Sequence, residues 1–225
     1  MTRGRRALIE LACGALIGAV LVSLRKEAGP PTRWMDNALI SVWQFKAAIL
    51  GWVVFGVYWE IAGRKAAKAK RTESSASRGV HVLLANVALL LIIAPIRGLG
   101  RLLPLSATFT TAGLMVEALG LCLAIWARHH LGRNWSGEIS IKVDHELIRS
   151  GPYRLLRHPI YTGLLAMYGG TALVTGEWLA AVGLVMGAFA YWRKIRLEEA
   201  NLNAAFAGEY DAYRRETWAL VPGVY

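Results

Sequence analysis

The chain has 225 residues, of which 55% are hydrophobic, and it carries a formal net charge of +11. This hydrophobic content excludes an ordinary soluble domain and favours a polytopic membrane protein. The excess of lysine and arginine does not indicate nucleic-acid binding, because the basic residues stand at the ends of apolar segments, as positive-inside membrane topology requires.

Four apolar segments are each long enough to cross a bilayer, and they predict membrane helices at residues 7–24, 38–61, 80–96 and 105–127. The basic loop over residues 63–78 is expected on the cytoplasmic side, and the N-terminus with it. The fourth helix then ends on the same side, where a second basic cluster follows: Arg128, His129, His130 and Arg133.

The next segment, residues 131–157, is polar. Its alternation from Ile139 to Val143 is compatible with a short strand, but an extended loop is favoured because a lone strand is marginal in water. Residues 160–175 and 178–192 then predict a helical hairpin, tilted or partly inserted because each arm is short for a full span. The second arm is expected to continue as an amphipathic helix with Leu202, Phe206, Tyr210 and Tyr213 on one face.

The predicted fold is therefore all-α: a polytopic integral membrane protein with about six membrane helices, the last two a hairpin, and a C-terminal cytoplasmic helix. Residues 1–127 are expected to form the N-terminal membrane helices and residues 128–225 a C-terminal catalytic region. Both termini and the active site are expected on the cytoplasmic side. Cys13 and Cys122 lie in apolar segments, so neither a disulfide nor a metal site is predicted.

One polar stretch, residues 151–163, lies between the apolar segments and is rich in glycine, proline, arginine and tyrosine, with one histidine. Pro159 is suited to the first position of a helix, which holds His158 just outside it. The positive end of that helix attracts anionic groups, and an imidazole lies beside it together with the phenols of Tyr153 and Tyr161. This stretch is the candidate functional site.

The C-terminal hundred residues resemble the isoprenylcysteine carboxyl methyltransferase family and its phospholipid-methylating relatives. The residues that carry the resemblance are Leu131-Gly132-Arg133, His145-Glu146-Leu147-Ile148, Gly151-Pro152-Tyr153, Arg157-His158-Pro159-Ile160-Tyr161, Gly163, Glu198-Glu199, Leu202, Phe206, Glu209-Tyr210, Tyr213, Thr217 and Leu220-Val221-Pro222. Their order and spacing make the resemblance specific, whereas Arg-His-Pro alone would be weak.

The resemblance implies a methyltransferase that uses S-adenosylmethionine. The implied cofactor-binding residues are His145, Glu146, Leu147, Ile148, Tyr153, His158, Pro159, Ile160, Tyr161 and Glu198. These residue types match the ligand: a carboxylate for its ammonium group, a helix start with His158 for its carboxylate, and tyrosine rings for its adenine or sulfonium. The sequence has no glycine-rich dinucleotide-binding fingerprint.

The resemblance also implies a site for the methyl acceptor. Lys194 stands where the prenylcysteine enzymes have an arginine for the substrate carboxylate, and this departure replaces a bidentate fork with a point charge. Lys194, Arg196 and Glu199 are the expected catalytic residues. The acceptor is expected to be lipophilic, to enter from the bilayer among membrane lipid, and to be held in line for transfer.

Several alternatives remain open. The acceptor is a prenylcysteine-like carboxylate, a phospholipid amine or a small thiol. A sterol reductase that binds NADPH would need more spans and more phosphate-binding basic residues. A small transporter or scaffold would need polar residues in mid-span, and Lys46, Asn86 and Glu117 are the candidates. Glu117 is functional, part of a buried structural pair with Lys46 or Asn86, or a protonated carboxyl group. His81 and the His129-His130 pair are expected at the membrane interface.

Overall fold

The computed structural model describes residues 35–64, 69–72, 74–94, 100–104, 106–132, 135, 140–142, 147–206 and 208–223. The predicted first span, residues 7–24, lies outside these residues. The described residues form six helices: α1 Met35–Gly63, α2 Ser75–Ile93, α3 Ala107–Leu131, α4 Pro159–Thr175, α5 Trp178–Phe206 and α6 Gly208–Glu216. The described part is therefore mostly helical, and its helices lie close to the predicted segments.

Among the described residues, three helical segments are long and apolar enough to cross a membrane: Trp43–Gly63, Ser75–Ile93 and Ala107–Leu131. The expectation of an integral membrane protein agrees with this result. The six predicted spans include one, residues 7–24, that lies outside the described residues, so their number is not tested. The hairpin helices differ from these three. The 17 residues of α4 reach only about 26 Å, less than the hydrocarbon thickness, and α5 carries charges in its second half.

Two short strands join the two polar loops. Strand β1, Ala69–Thr72, pairs antiparallel with β2, Ser140–Lys142, with an irregularity between Ala69 and Arg71. The sequence analysis favoured an extended loop here because a lone strand is marginal, but the partner strand comes from the loop that follows α1. The pairing brings both basic loops to the same end of the helices, which agrees with their predicted common side.

Helices α3 and α4 pack most closely because glycines face each other at two places along their contact. A Cβ on Gly120 would lie 2.5 Å from the Gly163 carbonyl, and one on Gly113 would lie 2.6 Å from the Gly170 carbonyl. Small residues let helix backbones approach in this way. This crossing fixes the position of α4, whose first residues belong to the candidate site.

The hairpin turn between α4 and α5 needs Gly176, whose φ of 62° is left-handed. Two glycines of α5, Gly183 and Gly187, also allow close approach, each to a different helix. Gly183 packs against Ala88 of α2, while Gly187 packs against the Tyr168 ring of α4. Helix α5 therefore lies against α2 along its length, as well as beside α4.

A buried arginine ties together the ends of α1 and α3. Arg128 donates through one terminal nitrogen to the Ala62 carbonyl at 2.6 Å and through the other to the Gly132 carbonyl at 3.0 Å. Its guanidinium also lies 4.2 Å from the centre of the Trp135 ring. The last carbonyls of both helices therefore gain donors that the helices themselves cannot supply.

The predicted partners of Glu117 are wrong. Glu117 is buried, and its Oε2 lies 3.0 Å from the Thr171 hydroxyl of α4. The ammonium of Lys46 lies 4.7 Å from the centre of the Trp43 ring, and Asn86 donates to the Val82 carbonyl at 2.8 Å on its own helix. Glu117 therefore belongs to the α3–α4 crossing.

Candidate functional site

The segment before α4 is held in place by the C-terminal tail of the chain. The Arg157 N–H donates to the Trp218 carbonyl at 2.8 Å, the His158 N–H donates to the Ala219 carbonyl at 3.1 Å, and the Trp218 N–H donates to the Leu155 carbonyl at 3.1 Å. The pairing is parallel, through Leu156 and Trp218. The backbone of His158 is thereby fixed immediately before α4, which begins at Pro159 as predicted.

Glu199 of α5 lies at the centre of a buried charged cluster. Arg157 Nε donates to Glu199 Oε1 at 2.9 Å, and His158 Nε2 donates to the same oxygen at 3.3 Å. Arg214 Nε lies 3.9 Å from Oε2. Arg157 also donates to the carbonyls of Arg214 and Thr217. One guanidinium therefore links α5 to the tail through a side chain that is almost completely buried.

This cluster keeps Glu199 ionised. Burial on its own raises the pKa of a carboxyl group, but hydrogen bonds from His158 and Arg157 outweigh it and hold the pKa of Glu199 at about 2. The hydrogen bonds of this buried ion pair compensate most of the free energy lost when its charges leave water. Either charged group buried alone would have no such compensation. Glu199 therefore has the surroundings of a group that fixes the geometry of its neighbours.

The neighbouring carboxylate has different surroundings because successive side chains on a helix point about 100° apart. Glu198 is partly exposed, and its Oε2 accepts a hydrogen bond from the Tyr161 hydroxyl at 2.7 Å. The Tyr161 ring stacks on the His158 ring, with 5.6 Å between ring centroids. A carboxylate has about four acceptor positions, so Glu198 can accept further donors from a ligand.

Tyr153 also lies close to this pair. Burial raises the pKa of the Tyr153 phenol, and the negative charge of Glu198 raises it further. The Tyr213 hydroxyl donates to the Tyr153 carbonyl at 2.6 Å, which ties α6 to the 3-10 turn Gly151–Arg154. The acidic pair, the imidazole and both predicted tyrosines are therefore gathered at one end of α4 and α5.

A second group of polar residues continues along the same face of α5. Lys194 lies one turn before Glu198, about 6 Å along the helix, and is buried at 8% exposure. Tyr191 lies nearly one turn before Lys194. The centroid of its ring is 5.3 Å from that of Tyr161 and 5.3 Å from that of His81 in α2. The polar face therefore extends from Glu198 to α2.

The structure separates the three expected catalytic residues. Lys194 is buried on the face toward α2, Glu199 is buried in the cluster with Arg157, and Arg196 is exposed. Side chains two residues apart on a helix point about 200° apart around its axis, so Lys194 and Arg196 point in nearly opposite directions. Lys194 and Glu198, four residues apart, share a face.

The expected cofactor residues fall into two groups. His158, Pro159, Ile160 and Tyr161 form the start of α4 beside Glu198, and Tyr153 lies next to them. Leu147 and Ile148 are partly buried in the segment that leads to the 3-10 turn, and Ile148 packs against the core. His145 and Glu146 lie outside the described residues.

Two important residues were not assigned a role from the sequence. Arg157 was part of the motif that carries the family resemblance. It stands beside His158, and an acidic pair follows on the next helix but one, which was a usable signal for a buried ion pair. His81 was expected at the interface but is buried against α5 at 8% exposure. Nothing in its own sequence neighbourhood indicates this, because the contact depends on how α2 packs.

The described residues contain no group of three or more His, Cys, Asp or Glu side chains that could hold a metal ion. The two carboxylates of the site, Glu199 and Glu198, instead accept hydrogen bonds from arginine, histidine and tyrosine donors. The arrangement can bind a small molecule with an ammonium group at Glu198, an anionic group near the start of α4, and a flat ring or cation against the tyrosines.

Comparison with known proteins confirms the family resemblance. A model of the phospholipid methyltransferase family matches residues 108–209. The protein-S-isoprenylcysteine O-methyltransferase of Saccharomyces cerevisiae is 31% identical over 119 residues, which are 50% of this chain and 48% of the relative. The cobalt-zinc-cadmium resistance protein of Cupriavidus metallidurans is 36% identical over 111 residues, 48% of this chain and 49% of the relative.

The chain thus spans about half the length of the curated relatives it matches. The matched residues 108–209 include α3, α4, α5 and the acidic pair, but neither α1 nor α2. A solved eukaryotic intramembrane Ras methyltransferase, isoprenylcysteine carboxyl methyltransferase, aligns over 98% of this chain and 97% of its own, with a TM-score of 0.46 and 15% identity.

Proposed function

We propose that this chain is a membrane methyltransferase that transfers a methyl group from S-adenosylmethionine to a lipophilic acceptor. The 2.7 Å hydrogen bond between Tyr161 and Glu198 carries this proposal. It supports the hypothesis because the aromatic ring and the carboxylate must contact one small molecule, and they come from two different helices.

Each part of the methyl donor has a matching group. Glu198 accepts hydrogen bonds from its ammonium group, and the N–H groups at the start of α4 donate to its carboxylate. Tyr161 and Tyr153 offer ring faces to its sulfonium or adenine. Glu199 and Arg157 act as positioning residues, because their ion pair fixes His158 and the start of α4 relative to α5. The bound donor supplies the reactive methyl group, so the protein's main task is alignment.

The acceptor side lies further along α5. Lys194 is suited to an anionic group of the acceptor, and its location on the face shared with Glu198 and Tyr191 supports this role. The names of the yeast and plant relatives support a prenylcysteine-like acceptor, while the matching family model supports a phospholipid. Arg196 is exposed, so it acts at most on the approach of the acceptor.

The site faces the cytoplasm, together with both termini. Two features support this orientation. Strands β1 and β2 join the two basic loops, and Arg128 links the ends of α1 and α3 at the same end of the molecule. Positive residues gather on the cytoplasmic side of membrane proteins.

Calorimetric binding of S-adenosylmethionine to the full chain in lipid nanodiscs tests the proposal. Replacing Glu198 by Gln removes a charge-assisted contact and should weaken binding by roughly 10- to 100-fold. Replacing Tyr161 by Phe removes its hydrogen bond to Glu198 and should weaken binding by about 2- to 10-fold. Replacing the exposed Glu216 by Gln is the matched control and should leave binding unchanged.

Methyl transfer from a labelled donor into the lipid extract of the same nanodiscs then identifies acceptors. Wild-type protein that binds no S-adenosylmethionine, or equal binding by the wild type, the Glu198 variant and the Tyr161 variant, would contradict the proposed function.

A further inference from the structure

Three apolar side chains stand on the surface where the C-terminal tail meets the segment before α4. Leu155 is 54% exposed, Trp218 is 43% exposed and Val221 is 49% exposed. The Trp218 N–H donates to the Leu155 carbonyl at 3.1 Å, and the Leu220 carbonyl accepts from the Thr162 hydroxyl at 2.8 Å, so the three residues are held close to one another. Together they form the tail patch.

The tail patch is the outer side of an extended segment whose inner side is buried. Thr217 and Ala219 are buried on either side of Trp218, and Leu156 is buried after Leu155. This alternation is typical of extended chain that packs one face on the core and turns the other face outward. Three neighbouring apolar side chains on the outer face indicate a contact surface, because scattered single residues would be the ordinary case.

The depth of the tail patch follows from the length of α4. Its 17 residues reach about 26 Å, slightly less than the hydrocarbon thickness of a bilayer. An inserted α4 therefore holds the preceding segment in the headgroup layer, which is about 5–8 Å deep on each side. Tryptophan is enriched in this layer because its ring is apolar and its N–H is polar. The His130 Nε2 of α3 lies 2.8 Å from the Ser150 hydroxyl oxygen, so the patch is at the end of the helices where the basic residues gather.

The charge around the tail patch is positive. Two exposed arginines, Arg154 and Arg215, lie within three residues of the patch along the chain. Residues 147–163 contain no Asp or Glu, and Glu216 is the single carboxylate of residues 212–223. Each basic residue near a membrane surface favours anionic lipid by about 1 kcal/mol, which is roughly a 5-fold gain in affinity.

We propose that the tail patch docks on anionic phospholipid headgroups. Its three apolar side chains lie between the upper parts of the acyl chains, and Arg154 and Arg215 contact the lipid phosphates. The inference goes beyond the proposed function and does not depend on it, because it concerns only the surface of the tail and the bilayer next to it.

Docking stabilises the start of α4. The Trp218 and Ala219 carbonyls accept hydrogen bonds from the N–H groups of Arg157 and His158. A tail that is fixed on the bilayer surface separates less often from these donors. The amide hydrogens of Arg157 and His158 should therefore exchange more slowly in bilayers that contain anionic lipid than in neutral bilayers.

The main test measures the contact between Trp218 and lipid. The full chain is reconstituted in phosphatidylcholine vesicles that contain an equal mole fraction of either brominated phosphatidylglycerol or brominated phosphatidylcholine, since bromine quenches nearby indole rings. The Trp218 signal is the fluorescence of the wild type minus that of Trp218→Phe, which keeps the backbone hydrogen bonds. Quenching of this signal should show a roughly 5-fold preference for phosphatidylglycerol.

Charge variants test the role of the arginines. Combining Arg154→Gln with Arg215→Gln should abolish the preference, and high ionic strength should do the same because it screens exposed charges. Glu216→Gln should raise the preference, since it removes the negative charge beside the patch. Trp178, which is 52% exposed at the other end of α5, is the matched control. Its signal, obtained from Trp178→Phe, should show the same lipid preference with and without the two arginine substitutions.

The outcomes are distinguishable. Quenching of the Trp218 signal by neither lipid would overturn docking on the bilayer and would mean that protein covers the patch, from this chain or a second copy. Equal quenching by the two lipids, or a preference that survives loss of both arginines, would overturn the role of anionic headgroups. Unchanged amide exchange at Arg157 and His158 would overturn the coupling to α4. These measurements need no methyl donor, so failure of the proposed function would leave them unaffected.

Discussion

Two buried glutamates show how differently this protein treats the same side chain. Glu199, at the polar end of α5, has an arginine and a histidine on one oxygen and a second arginine near the other. Glu117, in the α3–α4 crossing, has the Thr171 hydroxyl on one oxygen, and its Oε1 is buried without a hydrogen-bond partner. Glu199 is therefore surrounded by arginine cations, whereas Glu117 is hydrogen-bonded to a neutral hydroxyl group.

The hydrogen bonds around Thr171 suggest why Glu117 is tolerated. The Thr171 hydroxyl lies 2.9 Å from the Met167 carbonyl, which can only accept, and it receives the Trp52 indole N–H at 2.9 Å. Since its single proton is used on Met167, its oxygen is left to accept from Glu117. A neutral carboxyl group supplies that donor. Glu199 therefore organises the site through charge, whereas Glu117 joins α1, α3 and α4 through neutral hydrogen bonds.

The largest effect should come from removing the arginine partner of Glu199. Arg157→Ala leaves a buried carboxylate without its closest cation and should destabilise the protein by about 3–5 kcal/mol. The tail should also loosen, because Arg157 donates to two of its carbonyls. Chemical denaturation in detergent and binding of S-adenosylmethionine both measure the loss.

Arg214→Ala is the matched control for that substitution. Arg214 touches the same carboxylate at 3.9 Å, but its side chain is 41% exposed, so its removal should cost less than about 1 kcal/mol. Equal losses in the two variants would mean that burial does not distinguish these ion pairs.

Acid should weaken the Glu199 cluster specifically. The pKa of Glu199 is held at about 2, below the ordinary value of 4.5, so its contribution is present above pH 4.5 and is lost as the pH falls toward 2. The contribution is on the order of 3 kcal/mol at neutral pH. Stability measured from pH 7 to pH 2.5 should therefore fall more steeply in the wild type than in Glu199→Gln. Equal pH dependence of stability in the two proteins would show that the ionisation of Glu199 does not cause the loss of stability in acid.

The sequence predicted the helices well because their signals are local. Apolar length and basic flanks located α1, α2 and α3, and Pro159 located the start of α4 with His158 just before it. The pair of short strands was missed because strand pairing depends on a partner far away in sequence. The division predicted after residue 127 stays a prediction, and it falls inside α3.

The site was predictable where adjacent residues share a motif and unpredictable where packing decides. Tyr161 and Glu198 were assigned to one ligand and do touch. Helix periodicity was sufficient to separate Lys194 from Arg196, since they lie two positions apart. The burial of His81 depends on the antiparallel packing of α2 on α5, and no local signal reports that contact.

The α3–α4 crossing around Glu117 should be sensitive to single methyl groups. A Cβ on Gly163 would lie 2.5 Å from the Gly120 carbonyl, so Gly163→Ala should destabilise the protein by about 1–3 kcal/mol. Gly169→Ala on the same helix meets nothing within 4 Å and should stabilise it by up to about 1 kcal/mol. Thermal unfolding of the two variants checks the opposite signs.

The smallest effect should come from neutralising Glu117. Glu117→Gln keeps the size of the side chain, and its amide N–H₂ replaces the carboxyl O–H as donor to Thr171, so stability should change by less than about 1 kcal/mol. The same substitution at Glu199 replaces a carboxylate that accepts from Arg157 and His158, and it should cost several times more. Denaturation of both variants measures the contrast directly. A large loss at Glu117, or a negligible one at Glu199, would mean that the two carboxyl groups do not carry the opposite protonation states that their surroundings indicate.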